Sequence, residues 1–224
     1  MLIPSIDLMG GKVVQLVQGE KKALEFDSFE PWVERFAKYP LVQVIDLDAA
    51  MRQGDNRALV RQIAQRLPCQ VGGGISSITN AQAMLACGAR AVIVGSSLVR
   101  DGEPHVAFAR ELAQTVGPDQ LVFALDSKGG KVTVAGWKQA TSVTALDMLP
   151  ALEAYCGAFL YTHVDTEGTM TGIPLEVVQR LRAATTRRLI VAGGIRSREE
   201  VDTLHALGVD AVVGMAIYTG AMEA

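Results

Sequence analysis

Cysteines, runs of basic residues and long apolar stretches are what this sequence has little of, and each shortage narrows what the chain can be. Its three cysteines, Cys69, Cys87 and Cys156, are odd in number, widely scattered and never spaced as a metal-binding pair. No disulfide framework is implied, and reduced thiols in a cytoplasmic protein are expected. There is no basic block, the formal net charge is -3 and the pI is about 5.7. Nothing favours a polyanion or an anionic membrane surface, so nucleic acid and membrane are not expected partners. The amino end, Met1-Leu2-Ile3-Pro4-Ser5-Ile6-Asp7, lacks a basic region followed by a long apolar stretch. No later apolar run reaches the roughly 18 residues a membrane span needs, and the chain is expected to be soluble.

What is present is enough apolar material for a large core: 224 residues, 49% of them hydrophobic and 20% charged, which suits one domain. Eight short apolar runs recur without polar alternation, at Leu2 to Ile6, Leu41 to Ile45, Cys69 to Val71, Ala91 to Val94, Leu121 to Leu125, Phe159 to Thr162, Leu189 to Val191 and Ala211 to Val213. Such runs fit strands buried on both faces, as in a parallel sheet covered by helices. Between them lie segments with apolar residues three or four apart, such as Leu59, Ile63 and Leu67, which read as helices. Pro31, Pro104 and Pro174 suit first turns of helices, Thr144 and Ser197 are candidate caps, and Gly88 and Gly208 close helices before strands.

An internal repeat turns this βα alternation into a specific architecture. Gly10-Gly11-Lys12-Val13 recurs 119 residues later as Gly129-Gly130-Lys131-Val132. Val71-Gly72-Gly73-Gly74-Ile75 matches Val191-Ala192-Gly193-Gly194-Ile195, and Gly95 matches Gly214, at nearly the same spacing. Two similar (βα)4 units close into a ring, whereas an open sheet gives no reason for strands 1 to 4 to copy strands 5 to 8. The expected fold is α/β, a single (βα)8 TIM barrel spanning residues 1–224, with half-barrels about 1–119 and 120–224.

Active sites of such barrels lie at the carboxyl ends of the strands. Asp7 ends strand 1 and Asp126 ends strand 5, so the two carboxylates are expected to face each other across the mouth, one giving a proton and the other taking one. The alternative for each is a turn cap or a partner for a nearby lysine; the symmetric pairing favours chemistry. Gly-Gly-Lys-Val shortly after each Asp suggests a turn and a second short strand over the site. Gly73, Gly74, Gly95, Ser96, Gly193, Gly194 and Gly214 follow strands 3, 4, 7 and 8, where bare backbone can approach a phosphate and helix-start amides can point at it. Those sites oppose one another and would hold the two ends of a bisphosphate. Thr162, ending strand 6, is a candidate to hydrogen-bond a carboxylate or a substrate hydroxyl, although threonine also serves β-propensity alone. His163 alternates to the other side of that strand, where packing beneath the helices is expected. Trp137 either stacks on a flat heterocycle or pins its loop. Asp48 and Asp165 form a further symmetric pair that either orients loops or ligates substrate. The segment from Asp165 to Gly172, with Gly168 inside it, is the kind of polar loop that closes over a ligand.

Taken together, Ile3-Pro4-Ser5-Ile6-Asp7-Leu8, Gly11-Lys12-Val13-Val14, Val44-Ile45-Asp46-Leu47-Asp48, Val71 to Ile75, Leu125-Asp126, Gly136-Trp137 and Val191 to Ile195 resemble a known family over nearly the whole chain. It is the histidine-biosynthesis isomerase family, which converts phosphoribosylformimino-aminoimidazole-carboxamide ribotide from aminoaldose to aminoketose. The resemblance implies an Amadori rearrangement with no metal and no organic cofactor, Asp7 as base, Asp126 as acid and Thr162 in support. It also implies that the small-molecule partner is the bisphosphorylated ribotide, and a monomer is expected. Gln15 and Ser76 stand where arginines are common in the family, and Met215 follows Gly214 where a basic residue is frequent. The chain is also short after strand 8 for a full eighth helix.

Three rival readings compete with the isomerase. One is the sister cyclase that forms imidazole-glycerol phosphate, whose first strand typically ends Cys-Leu-Asp rather than Ser5-Ile6-Asp7. Another is a bifunctional isomerase also accepting phosphoribosyl anthranilate, and the last is a catalytically silent sugar-phosphate binding barrel. Hydride transfer lacks its strand–GxGxxG–helix fingerprint, and a Schiff-base aldolase would want a lysine where Thr162 sits.

Overall fold

The apolar runs become eight strands: β1 (Leu2–Met9), β2 (Val42–Asp46), β3 (Cys69–Gly72), β4 (Ala91–Val94), β5 (Leu121–Lys128), β6 (Ala158–His163), β7 (Arg188–Ala192) and β8 (Val209–Val213). In the computed structural model, which describes residues 1–223, each strand pairs in parallel with the next. The ring closes where Leu2 of β1 lies opposite Ala211 of β8. It is the expected (βα)8 barrel.

The missing polar alternation now has its cause. Ile3, Ile93, Val122, Leu160, Ile190 and Val212 pack together inside the ring. The intervening residues, among them Ile6, Val44, Val71, Phe123 and Phe159, pack outward in one core with the helical residues Val60, Ile63, Leu112 and Met148. Both faces of every strand are buried, so both must be apolar.

Helices α1 (Glu30–Phe36), α2 (Arg57–Ala64), α3 (Ile78–Ala86), α4 (Val106–Val116), α5 (Ala145–Leu152), α6 (Leu175–Ala183) and α7 (Arg198–Ala206) follow the first seven strands. Pro31 occupies the first turn of α1, Thr144 closes a capping box with Asp147, and Ser197 accepts from the Glu200 amide. Gly88 and Gly208 follow α3 and α7 at φ +111° and +69°. Two proline assignments need correction. Pro104 lies in a two-residue strand paired with Val99–Arg100, and α4 begins only after His105; Pro174 is the residue before the first turn of α6 rather than within it. In both places a missing amide proton costs nothing, which is why the two settings look alike in sequence.

After β8 the described residues form a four-residue helix, α8 (Met215–Tyr218). Aromatic rings pack at the seam between β8 and β1. Tyr218 stacks 4.0 Å from Trp32, with Phe26 and Phe36 beside it, and its hydroxyl donates to the Ser5 carbonyl at 2.9 Å. Among the described residues no helix is long and apolar enough to cross a membrane.

β1 and β5 each continue into a hairpin. Lys12–Val17 folds back on β1 over Gly10-Gly11, and Lys131–Val134 folds back on β5 over Gly129-Gly130. All four glycines have φ between +58° and +79°, the left-handed conformation that tight hairpin turns require.

Candidate active site

Strand periodicity decides which side chains reach the mouth. Asp7 shares its face with Ile3 and Ser5, Asp126 with Val122 and Ala124, and Thr162 with Ala158 and Leu160. Each therefore tops a column of interior residues. Together they line a cavity of about 670 Å³ floored by Ile45, Ile93, Ala124, Leu160, Ala192 and Val212. His163, of opposite parity, does not line it.

Burial at the mouth favours the uncharged form of each carboxyl group. It pushes Asp7 up to about 6, against one hydrogen bond at 2.8 Å from the Ser5 hydroxyl. Asp126 is also raised by burial, opposed by hydrogen bonds from the Trp137 indole, at 2.8 Å, and from Thr162. Trp137 thus holds Asp126 with its nitrogen while its ring covers Gly19, so closely that a Cβ there would lie 2.5 Å from the indole. It lines the cavity as well.

A third carboxyl group, Glu167, escaped the sequence reading. Burial, and then the negative charges of Asp7 and Asp126, push it up to about 8. The repeat could not reveal it, because its counterpart in the first half, at the spacing that relates Asp48 to Asp165, is Ala50. The one available signal was its place beside Gly168 in the polar loop after β6.

Hydrogen bonds stitch that loop to both hairpins. Gln18 donates its backbone N–H to the Glu167 carbonyl at 3.0 Å and its side-chain amide to the Asp165 carbonyl at 2.7 Å. The Asp165 carboxylate accepts the Gly129 N–H at 2.9 Å, and Asp48 repeats the arrangement by accepting the Gly10 N–H at 2.6 Å. Asn56 braces the Asp48 clamp by donating to Asp46 and Asp48. Of the two readings of Asp48 and Asp165, loop orientation is the one the geometry displays. His163 belongs to the same network: its Nδ1 lies 2.9 Å from the Thr166 hydroxyl at the rim, which corrects the expectation that it packs beneath the helices. The strand ends there and turns, so alternation no longer carries the side chain under a helix.

Gly73, Gly74, Gly95 and Ser96 line one side of the cavity, and Gly193, Gly194 and Gly214 line the opposite side, with Gly168 between strand 6 and the first hairpin. Glycine is required at Gly73 and Gly193 by the protein itself. A Cβ would lie 2.1 Å from the Asp46 carbonyl oxygen in one case and 2.4 Å from that of His163 in the other, and φ is +106° and +112°. Gly95 is different, with its only near neighbour the Ala124 methyl at 3.5 Å, and so leaves bare backbone facing the cavity. The Ser96 hydroxyl accepts the Ala135 N–H at 3.0 Å, tying this side to the Trp137 loop. Gln15, buried beside Gly214, donates to the Val14 carbonyl at 2.9 Å.

Known proteins are similar to this chain along its length. A family model described as "Histidine biosynthesis protein" matches residues 1–223. A Thermus thermophilus protein named 1-(5-phosphoribosyl)-5-((5-phosphoribosylamino)methylideneamino)imidazole-4-carboxamide isomerase is 42% identical over 98% of this chain and 94% of its own length. Proteins of the same name from Methanocaldococcus jannaschii and Deinococcus radiodurans are 34% and 33% identical, over 100% and 99% of this chain and 95% and 94% of theirs. With a doubled barrel, opposed aspartates and similarity along its whole length, the chain belongs to the histidine biosynthesis protein family.

Proposed function

We propose that this chain is an aldose–ketose isomerase acting on the phosphoribosylformimino-aminoimidazole-carboxamide ribotide, the step its relatives are named for. The observation that carries the chemistry is the meeting of Asp7, Asp126 and Glu167 over one cavity, two of them raised to about 6 and about 8. At neutral pH the first is ionised and able to take a proton, while the last holds one to give. An acid protonates the ribose ring oxygen and the ring C–O bond breaks, leaving an open-chain Schiff base. Asp7 then removes the C2 proton, and the electron pair moves to form the C1–C2 double bond of an enolamine. Tautomerisation yields the aminoketose. Protons move within one molecule and no electrons leave it, so the reaction consumes no cofactor.

Asp126 is the acid in this scheme, held in place by Trp137 and Thr162. A second reading has Glu167 give the proton to the ring oxygen; a pKa raised to about 8, which keeps it protonated at neutral pH, and the lack of an Asp126-like pair of donors favour that role. The glycine cradles at β3/β4 and β7/β8 take the two phosphates through backbone amides. A single chain supplies every group named, which fits a monomer, and a biosynthetic enzyme of this family would work in the cytoplasm.

The test is to offer the purified protein the aminoaldose ribotide and phosphoribosyl anthranilate separately and follow each product. Turnover of the first alone is expected; turnover of both makes the enzyme bifunctional, and turnover of neither overturns the reading. Asp7→Asn and Asp126→Asn should each lower kcat by roughly a thousandfold or more while the fold persists.

A further inference from the structure

We infer that the mouth is electrostatically one-sided: Arg52 and Lys138 form a cationic seat for the phosphate at the β3/β4 cradle, whereas the β7/β8 cradle takes its phosphate without a countercharge. Among the described residues, these two are the lysine and arginine side chains that line the cavity. Neither has an ion pair or side-chain hydrogen bond within the described chain, although seven other lysines and arginines do engage carboxylates. Unpaired positive charge on the wall of a concave site is available to an anion; charge already neutralised by a neighbouring carboxylate is not.

Both residues are delivered to the same cradle. Arg52, at φ +59°, ends the short helix Leu47–Met51, whose Ala49 sits against Gly74, 2.9 Å from where a Cβ would be. Lys138 follows Trp137 in the loop whose Ala135 N–H is bonded to Ser96, and Gly136 of that loop lies beside Met51. The two cation-bearing segments therefore touch each other and the residues of the β3/β4 cradle.

The repeat supplies an internal control. At the spacings that relate the two halves, the counterpart of Arg52 is Thr169 and that of Lys138 is Gly19. The packing itself is conserved between halves, since Thr166 lies on Gly194 as Ala49 lies on Gly74. What differs is charge: the β7/β8 side has Gln15, Met170 and Met215, and the loop beside it carries Glu167. An elongated molecule with a phosphate at each end would meet attraction at one end and an acidic neighbour at the other. The ribotide reading enters only in naming which molecule bears the phosphates.

The experiment is an equilibrium titration of the parent, Arg52→Gln, Lys138→Gln and the double variant with inorganic phosphate, at low and at high ionic strength. The double variant should bind about tenfold more weakly at low salt, with each single variant between, and its affinity should depend less on salt. Thr169→Arg should strengthen phosphate binding by giving the second cradle a charge. A double variant that binds as tightly as the parent with the same salt dependence overturns the proposal, and so does a parent that binds no phosphate. If phosphate affinity follows the two charges while the ribotide is not turned over, the cationic seat stands and the isomerase reading falls.

Discussion

In the proposed reaction, three carboxyl groups around one cavity are distinguished by their surroundings rather than by chemical type. Asp7 keeps a single hydrogen bond from Ser5, Asp126 is held by an indole and a hydroxyl, and Glu167 feels the charge of both. A base must be ionised and an acid protonated at the same pH, so on the second reading, with Glu167 as the acid, kcat/KM should rise through about 6 as Asp7 ionises and fall through about 8 as Glu167 does, the limbs belonging to the coupled cluster. In Glu167→Gln the upper limb should vanish or move. A pH–rate profile with an unaltered upper limb in that variant would return the acid role to Asp126 alone. Asp7 and Asp126 were legible in the sequence because the repeat printed them twice. Glu167 was not, because only the first-half hairpin and the second-half loop, brought together by barrel closure, put it beside them.

At the scale of elements, the hairpins after β1 and β5 are the parts that convert a plain barrel into a covered site. Each is clamped at its glycine turn by a carboxylate from the next strand's loop, Asp48 for the first and Asp165 for the second. The clamps are alike in geometry and unlike in consequence, since the residue two places beyond Asp165 is Glu167 at the cavity, whereas the residue two places beyond Asp48 is Ala50. Asp165→Ala should therefore lower kcat/KM by about tenfold and more than Asp48→Ala does, with each losing about 1 kcal/mol of stability for its hydrogen bond. Steady-state rates and urea midpoints of the two variants separate these effects, and equal catalytic losses would contradict the account. The sequence showed both turns and the symmetric Asp pair but left their role open, because a carboxylate's partner here is a backbone N–H about 37 residues away.

For the molecule as a whole, the acidic cluster makes stability depend on pH. Glu167 and Asp7 have higher pKa values folded than unfolded, so between about 4 and about 8 the native state binds more protons. Their contribution is fully present below the unfolded values and is lost as pH rises through the folded ones. Glu167→Gln removes the larger part of this dependence. Relative to the parent it should gain on the order of 1–3 kcal/mol between pH 5 and pH 8, a range discounted for solvent at the open mouth. Urea unfolding at the two pH values reads it; an identical pH dependence in parent and variant would refute it.

The sequence by itself determined the barrel, its doubling and the opposed aspartates. Uniformly apolar strands require cover on both faces, and a repeat of 119 residues places matching strand ends across a ring. Tertiary structure alone decided the rest: Trp137 bonded to Asp126, Glu167 joined to the pair, the Tyr218 ring packed on Trp32, and two unpaired cations gathered on one side. Each depends on groups far apart in the chain meeting where the strands end, and local pattern carries no record of such meetings. The opposed aspartates that the repeat announced thus prove to be two members of a three-carboxyl site, whose third member the symmetry could not predict because it breaks it.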